Sequence, residues 1–178
     1  MRRGAALALA ALACGCAGPA GEMPARQFDL GYAAPAAMLP PMRAVGVKAA
    51  TPYDGIEMHY RLAYRDGAEL AAFARSRWAA PPADMVRRQF VRALPPNSGA
   101  RCALELELVE FSQVFTAPDA SEARVELRAA AGGAARGFRT VEPGAGPNAA
   151  SGAAAFARAT ERIVAEVAQW LGSLAQCR

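Results

Sequence analysis

Four cysteines and a single histidine are the side chains here with the widest chemistry. Cys14 and Cys16 end an N-terminal stretch in which Met1-Arg2-Arg3 precedes an apolar run over residues 4–13. A basic head, an apolar core and small residues ending at a cysteine form the pattern of a bacterial lipoprotein signal. In that chemistry the cysteine thiol is acylated and becomes the new N-terminus. The run is about half the roughly 20 residues a spanning helix needs, so it reads as the apolar part of a signal. Cys16, with Gly15 and Ala13 at −1 and −3, is the expected lipidation site. Cys14, with Ala13 and Ala11 in those places, is the alternative. Two or three fatty chains, at about 0.8 kcal/mol per buried methylene, would hold the protein at a bilayer where one chain alone binds marginally. Residue 17 is Ala and not Asp, which in the enterobacterial sorting rule points to the outer membrane.

Cys102 and Cys177 remain after such processing. In an oxidising periplasm they are a candidate disulfide, joining the start of a strand to the end of the last helix. Two separate buried thiols are the other reading. None of the four cysteines has the spacing of a zinc site. The one histidine, His59, falls on the polar parity of a strand and reads as a surface residue. With no second histidine, any Ser-His-Asp or Cys-His arrangement would have to be built around it. Glu105 and Glu107 share a strand face and read as its solvated side. No phosphate-cradling glycine loop is present. The expectation is a protein that is not an enzyme and carries no cofactor beyond an N-terminal lipid.

Charge narrows the partners. The chain carries 20 basic and 16 acidic side chains, and removal of Arg2 and Arg3 leaves 18 against 16. No basic cluster interleaves with aromatics, so nucleic acid has little support as a partner. The reading divides the chain into a signal over residues 1–15, a tether over 16–25 and one folded domain over 26–178. That length suits a single core.

The elements follow from periodicity. Short strands are expected near residues 27–30 and 43–49, the second from Val45 and Val47. Ile56, Met58, Tyr60, Leu62 and Tyr64 alternate with polar neighbours, the period of a half-buried strand. Asp66-Gly67 is a hairpin turn signal, returning along residues 69–78, whose alanines also allow a helix. Pro81-Pro82 opens a helix with Val86, Phe90 and Leu94 on one face, and Pro95-Pro96 ends it. Leu104, Leu106 and Leu108 alternate, then Val109, Phe111 and Phe115 take the opposite parity, which predicts a bulge near 108–109. A strand at 123–129, with Ala123, Val125, Leu127 and Ala129 on one face and Arg124, Glu126 and Arg128 on the other, and a return strand at 136–141 flank a Gly132-Gly133 tip. A helix over 149–175 carries the stripe Phe156, Thr160, Ile163, Val167, Trp170 and Leu174. The order predicts an α+β domain with a mainly antiparallel or mixed sheet and two main helices packed on one face.

Four stretches carry a resemblance. They are Phe28-Asp29-Leu30-Gly31, residues 53–61 with Met58-His59-Tyr60-Arg61 inside them, Arg77-Trp78-Ala79-Ala80-Pro81-Pro82, and Glu110-Phe111-Ser112-Gln113-Val114-Phe115. Ser121 and the Val125-Glu126-Leu127-Arg128-Ala129 strand follow the last. In order and spacing they resemble the ABC-type transport auxiliary lipoproteins, which include the paraquat-inducible protein C type. The alanine-rich residues 69–75 depart from that family's more tyrosine-rich pattern. The resemblance implies a lipoprotein on the periplasmic face of the outer membrane. Its partner would be a periplasmic transport protein with mammalian-cell-entry domains, which moves lipids or other hydrophobic molecules between the two membranes. The role would be docking, with ATP hydrolysis done elsewhere. Tyr60, Arg61, Arg77, Trp78, Phe111 and Phe115 are the candidate partner or motif residues. Trp78 is expected to fill the corner where strand meets helix, with an arginine that packs against it or pairs with an acid; the other reading makes Arg61, Arg77 and Trp78 part of the partner surface. Two alternatives are a regulator of a periplasmic cell-wall enzyme and a lipid carrier with its own cavity.

Overall fold

The structure, a computed structural model, describes residues 24–96, 100–144 and 146–177. The signal, both candidate lipidation cysteines and most of the tether lie outside the described residues. Seven strands and two helices build one α+β domain. In chain order they are β1 (Arg26–Phe28), β2 (Ala44–Ala49), β3 (Glu57–Leu62), β4 (Asp66–Trp78), α1 (Pro82–Arg92), β5 (Ala103–Ala117), β6 (Ala120–Ala131), β7 (Ala134–Pro143) and α2 (Ala149–Ser173).

The strands form one mixed sheet in the order β1-β4-β3-β5-β6-β7. β5 organises it. One of its edges pairs antiparallel with β6 over nearly its whole length. The other edge is shared: residues 103–108 pair in parallel with β2, and residues 112–115 pair in parallel with β3. The phase slip in the sequence is the register shift between Leu108 and Glu110, which moves Phe111 onto the face of Leu104, Leu106 and Leu108.

The helices cover that face. α2 buries Phe156, Ile163, Val164, Val167, Trp170 and Leu171, together with five alanines. Alanines let the helix lie close to β6 and β7, and close approach makes up for few large side chains. α1 buries Pro82, Met85, Val86 and Phe90. It begins at a proline, whose missing N–H is no loss in a first turn.

Three boundaries differ from the sequence expectation. The β3–β4 turn occupies residues 63–65, closed by the Arg65 N–H donating to the Leu62 carbonyl at 2.8 Å. Asp66-Gly67 already lies in β4, where the Asp66 carboxylate accepts from the Ala68 N–H at 2.8 Å. A side chain that can satisfy a nearby N–H does not have to sit at the tip. Ile56 and Tyr64 fall outside β3 and are exposed, so the buried part of that alternation is shorter than the pattern. α2 stops at Ser173 because Leu174 adopts extended geometry. A 3-10 turn, Ala175–Cys177, then carries Cys177 to Cys102. Those two residues form a disulfide with Cα atoms 5.3 Å apart. Gly132, at φ +55°, packs beside it, where a Cβ would lie 2.7 Å from the Cys177 Sγ.

Candidate docking face

The period-2 alternation of a sheet separates the six candidate residues into three environments. Tyr60, Phe111 and Phe115 point to the helix side, and Arg61 points away. Trp78 closes the end of β4, and Arg77 precedes it.

Trp78 is 1% exposed. Its ring meets Phe111 at 5.4 Å and Phe156 at 5.3 Å between centroids, while Phe111 stacks on Phe156 at 4.2 Å. Trp78 and Phe111 are therefore core residues at the junction of β4, β5 and α2. No arginine stacks on Trp78 among the described residues; Arg61 takes the alternative, a carboxylate partner, with Glu110 at 3.7 Å. Arg77 turns its Nη1 onto the carbonyls of Phe73 (2.8 Å), Ser76 (3.2 Å) and Ala74 (3.4 Å) along its own strand. The arginine–aromatic stacks among the described residues are Arg26 over Phe28, Arg92 over Tyr32 and Arg136 over Phe138. Tyr60 and Phe115 form a third group with Phe73, with Tyr60–Phe73 centroids at 4.7 Å and Tyr60–Phe115 at 5.9 Å. Tyr60 and Phe73 are half-buried there.

Arg61 is the candidate that faces outward with partners. It lies on β3, whose parallel register sets it opposite Val114 of β5. Its Nη2 lies 3.7 Å from Glu110 Oε2 and 3.4 Å from the Tyr53 hydroxyl. Its Nη1 reaches the Gly67 and Ala68 carbonyls at 3.4 and 3.3 Å. Glu110 also accepts a short hydrogen bond from Ser112 Oγ. Tyr53, 3% exposed, has its hydroxyl pKa pushed up to about 12. Burial is the main cause, and the hydrogen bond and negative charge of Glu110 add to it against the opposing pull of Arg61. His59 stands edge-on to Tyr53 at 5.5 Å. Its pKa is lowered, chiefly by burial and secondarily by Arg61, against Glu57 and Glu110.

Beyond this cluster the same face continues as paired charge. Arg124 lies 2.8 Å from Glu122, and Glu107 sits between Lys48 (3.5 Å) and Arg128 (3.9 Å). Arg139 of β7 stands in register with Glu126 of β6. Arg61, Gly67, Glu110, Arg124, Glu126 and Arg139 line a shallow depression of about 210 Å³. Exposed pairs of this kind contribute little to stability, at roughly 0–1 kcal/mol each. They do supply a fixed pattern of alternating charge that a complementary surface can read.

The sequence placed Tyr53, Glu110 and Gln113 inside motif stretches without giving them a role, and it marked neither Arg124 nor Arg139 as a site residue. Tyr53 lies in a loop with no period to mark it. Glu110 sits one residue past the bulge, and the bulge itself was the available signal. Gln113 is buried on the helix side, where its Nε2 donates to Ser121 Oγ (2.9 Å) and the Asn148 carbonyl (3.3 Å). Ser121 Oγ in turn donates to the Gly146 carbonyl at 3.0 Å. This chain of bonds fixes the start of α2, where Asn148 and Ser151 form a capping box.

Among solved structures, the chain is similar to the protein XCC0632 from Xanthomonas campestris, of the family DUF330. The sequences are 21% identical, the match covers 82% of this chain and 94% of that one, and the TM-score is 0.64. A second solved structure, of an uncharacterised protein, matches at 13% identity and TM-score 0.62, covering 83% of this chain and 99% of that one. At these identities the likeness is one of fold. No protein-family model matches the chain, and no curated protein matches it.

Proposed function

We infer that this protein is a lipid-anchored docking subunit on the periplasmic face of the outer membrane. It serves a transporter that moves lipids or other hydrophobic molecules between the two membranes. The partner is the periplasmic transport protein with mammalian-cell-entry domains, and acylation falls on Cys16. The leader pattern and the resemblance of the four motifs support the location and the partner class.

The observation that carries the docking role is the one-sided build. Both helices lie on one face of the sheet, and the other presents the charge lattice around Arg61 and Glu110. That lattice suits recognition of a complementary protein surface, where charge sets orientation and encounter rate.

The test is crosslinking in native membranes followed by identification of the captured protein. The wild-type chain is expected to capture the transport protein. Arg139→Glu, which reverses an exposed charge without touching the core, should cut the yield several-fold. Adding Glu126→Arg, which re-forms the pair with its polarity inverted, should not restore it. Cys16→Ala combined with Cys14→Ala should release the protein from membranes. Capture of a cell-wall enzyme instead, or retention of the double cysteine variant in the membrane, would overturn the reading.

A further inference from the structure

A second surface stands apart from the charge lattice. After β1 the chain runs along α1, and Asp29, Leu30, Gly31 and Tyr32 form one wall of a groove of about 300 Å³. Met85, Arg88, Gln89, Val91 and Arg92 of α1 form the other. The Gly31 carbonyl accepts from Arg92 Nη2 (3.3 Å) and Gln89 Nε2 (3.4 Å), which pins the segment to the helix.

The groove's rim is apolar where a soluble surface is usually polar. Tyr32 is 92% exposed, Met38 55% and Val91 41%, and these are three of the six large apolar side chains exposed among the described residues. Met38 belongs with the other two because its neighbour Leu39 donates its N–H to the Ala93 carbonyl at the end of α1. The charge on this side is also different in kind. Arg88 and Arg92 make no ion pair among the described residues, whereas the arginines Arg61, Arg124 and Arg128 of the sheet face each sit beside a glutamate. The acid in the groove, Asp29, has one carboxylate oxygen committed to the Gly31 N–H at 2.8 Å.

We propose that the groove between α1 and the segment after β1 seats the domain on an anionic lipid surface, with Tyr32, Met38 and Val91 in the headgroup layer and Arg88 on phosphate. Aromatic and aliphatic tips ringed by arginines whose apolar stems can lie along lipid match the composition of interfacial anchors. The occupant follows from where the chain is tethered. Cys16 and Pro24 are eight residue steps apart, a reach of about 29 Å at most, and the groove wall begins directly after β1. This inference rests on the lipid-anchored reading above. It leaves the sheet face for the protein partner.

The experiment uses the chain from Ala17 onward, without the acylated cysteine. Among the described residues the buried core has Leu30 as its first member, so that chain keeps the core contacts these residues make. It is mixed with sedimentable vesicles of equal parts phosphatidylglycerol and phosphatidylcholine, or of phosphatidylcholine alone. Binding to the anionic vesicles is expected to be about tenfold stronger and to be lost in high salt. Arg88→Glu with Tyr32→Ser should abolish the difference, and Arg65→Glu, an exposed change in the β3–β4 turn at the opposite end of β4 from β1, should leave it intact. Equal binding to both vesicle types, no binding to either, or no effect of the groove variant would overturn the proposal. The crosslinking test is read separately on the acylated protein. If the groove variant kept its lipid binding and lost capture of the transport protein, the groove would be a protein site and the proposal would fail while the docking role stood.

Discussion

Gly152 of α2 and Gln113 of β5 meet so closely that a Cβ on the glycine would lie 2.1 Å from Gln113 Oε1 and 2.6 Å from its Cδ. The Gln113 amide is not free to move aside, because its Nε2 bonds Ser121 and Asn148. Gly152→Ala should therefore destabilise the fold by about 1–3 kcal/mol, measured by urea unfolding. Gln113→Ala in the same chain should make the two losses clearly less than additive, since it removes the clash. Full additivity would show that the contact does not limit the approach of α2.

The disulfide between Cys102 and Cys177 spans 75 residues, including β5, β6, β7 and α2. In the chain-entropy account, a loop of that length contributes about 4 kcal/mol. Reduction, or Cys102→Ser with Cys177→Ser, should lower the unfolding midpoint by a corresponding amount. The double variant should unfold at the same midpoint with and without reductant. Gly132→Ala should act in the same direction, because its Cβ would press on both sulfurs from a left-handed backbone. An unchanged midpoint on full reduction would count against the bond as a staple.

Two groups of the Arg61 cluster give opposite pH signatures. The Tyr53 hydroxyl rises from 10.0 to about 12 in the folded state. A raised folded pKa means that the neutral form is favoured by folding. Its contribution is complete below about pH 10 and is lost as pH climbs through about 12. It amounts to roughly 2–3 kcal/mol at most. Tyr53→Phe should flatten the alkaline limb of the stability curve. His59 has a lowered folded pKa, so its contribution is complete above its ordinary 6.5 and is lost as pH falls. His59→Gln should flatten the acid limb just below that value. A steeper limb in either variant would reverse the assignment.

Much of the sheet was readable from the chain. The parity break between Leu108 and Phe111 marked a bulge because every side chain after an inserted residue changes face. Arg124, Glu126 and Arg128 declared the outward face of β6 by the same alternation. The pairing of β2 and β3 with two halves of one edge was not readable, since pairing partners far apart in sequence leave no local trace. The β3–β4 turn was misplaced because Asp-Gly is a turn signal only when the strand needs its geometry, and here Asp66 bonds Ala68 within β4. At the candidate face, Arg61 was visible through its position in an alternating strand. Its partners Tyr53 and Glu110 come from a loop and from a bulge, the two places where periodicity is silent.

The sharing of β5's edge by β2 and β3 has a consequence for how the chain comes together. Everything from residue 44 to residue 62 waits for a template that is made only after another forty residues have emerged. Parallel pairing across such a span closes late. A polypeptide arriving vectorially, N-terminus first, therefore delivers β2 and the β3–β4 hairpin as unpaired guests. A nascent chain arrested before residue 103 should expose them to proteases and chaperones, and release of β5 should be the event that commits the domain to fold.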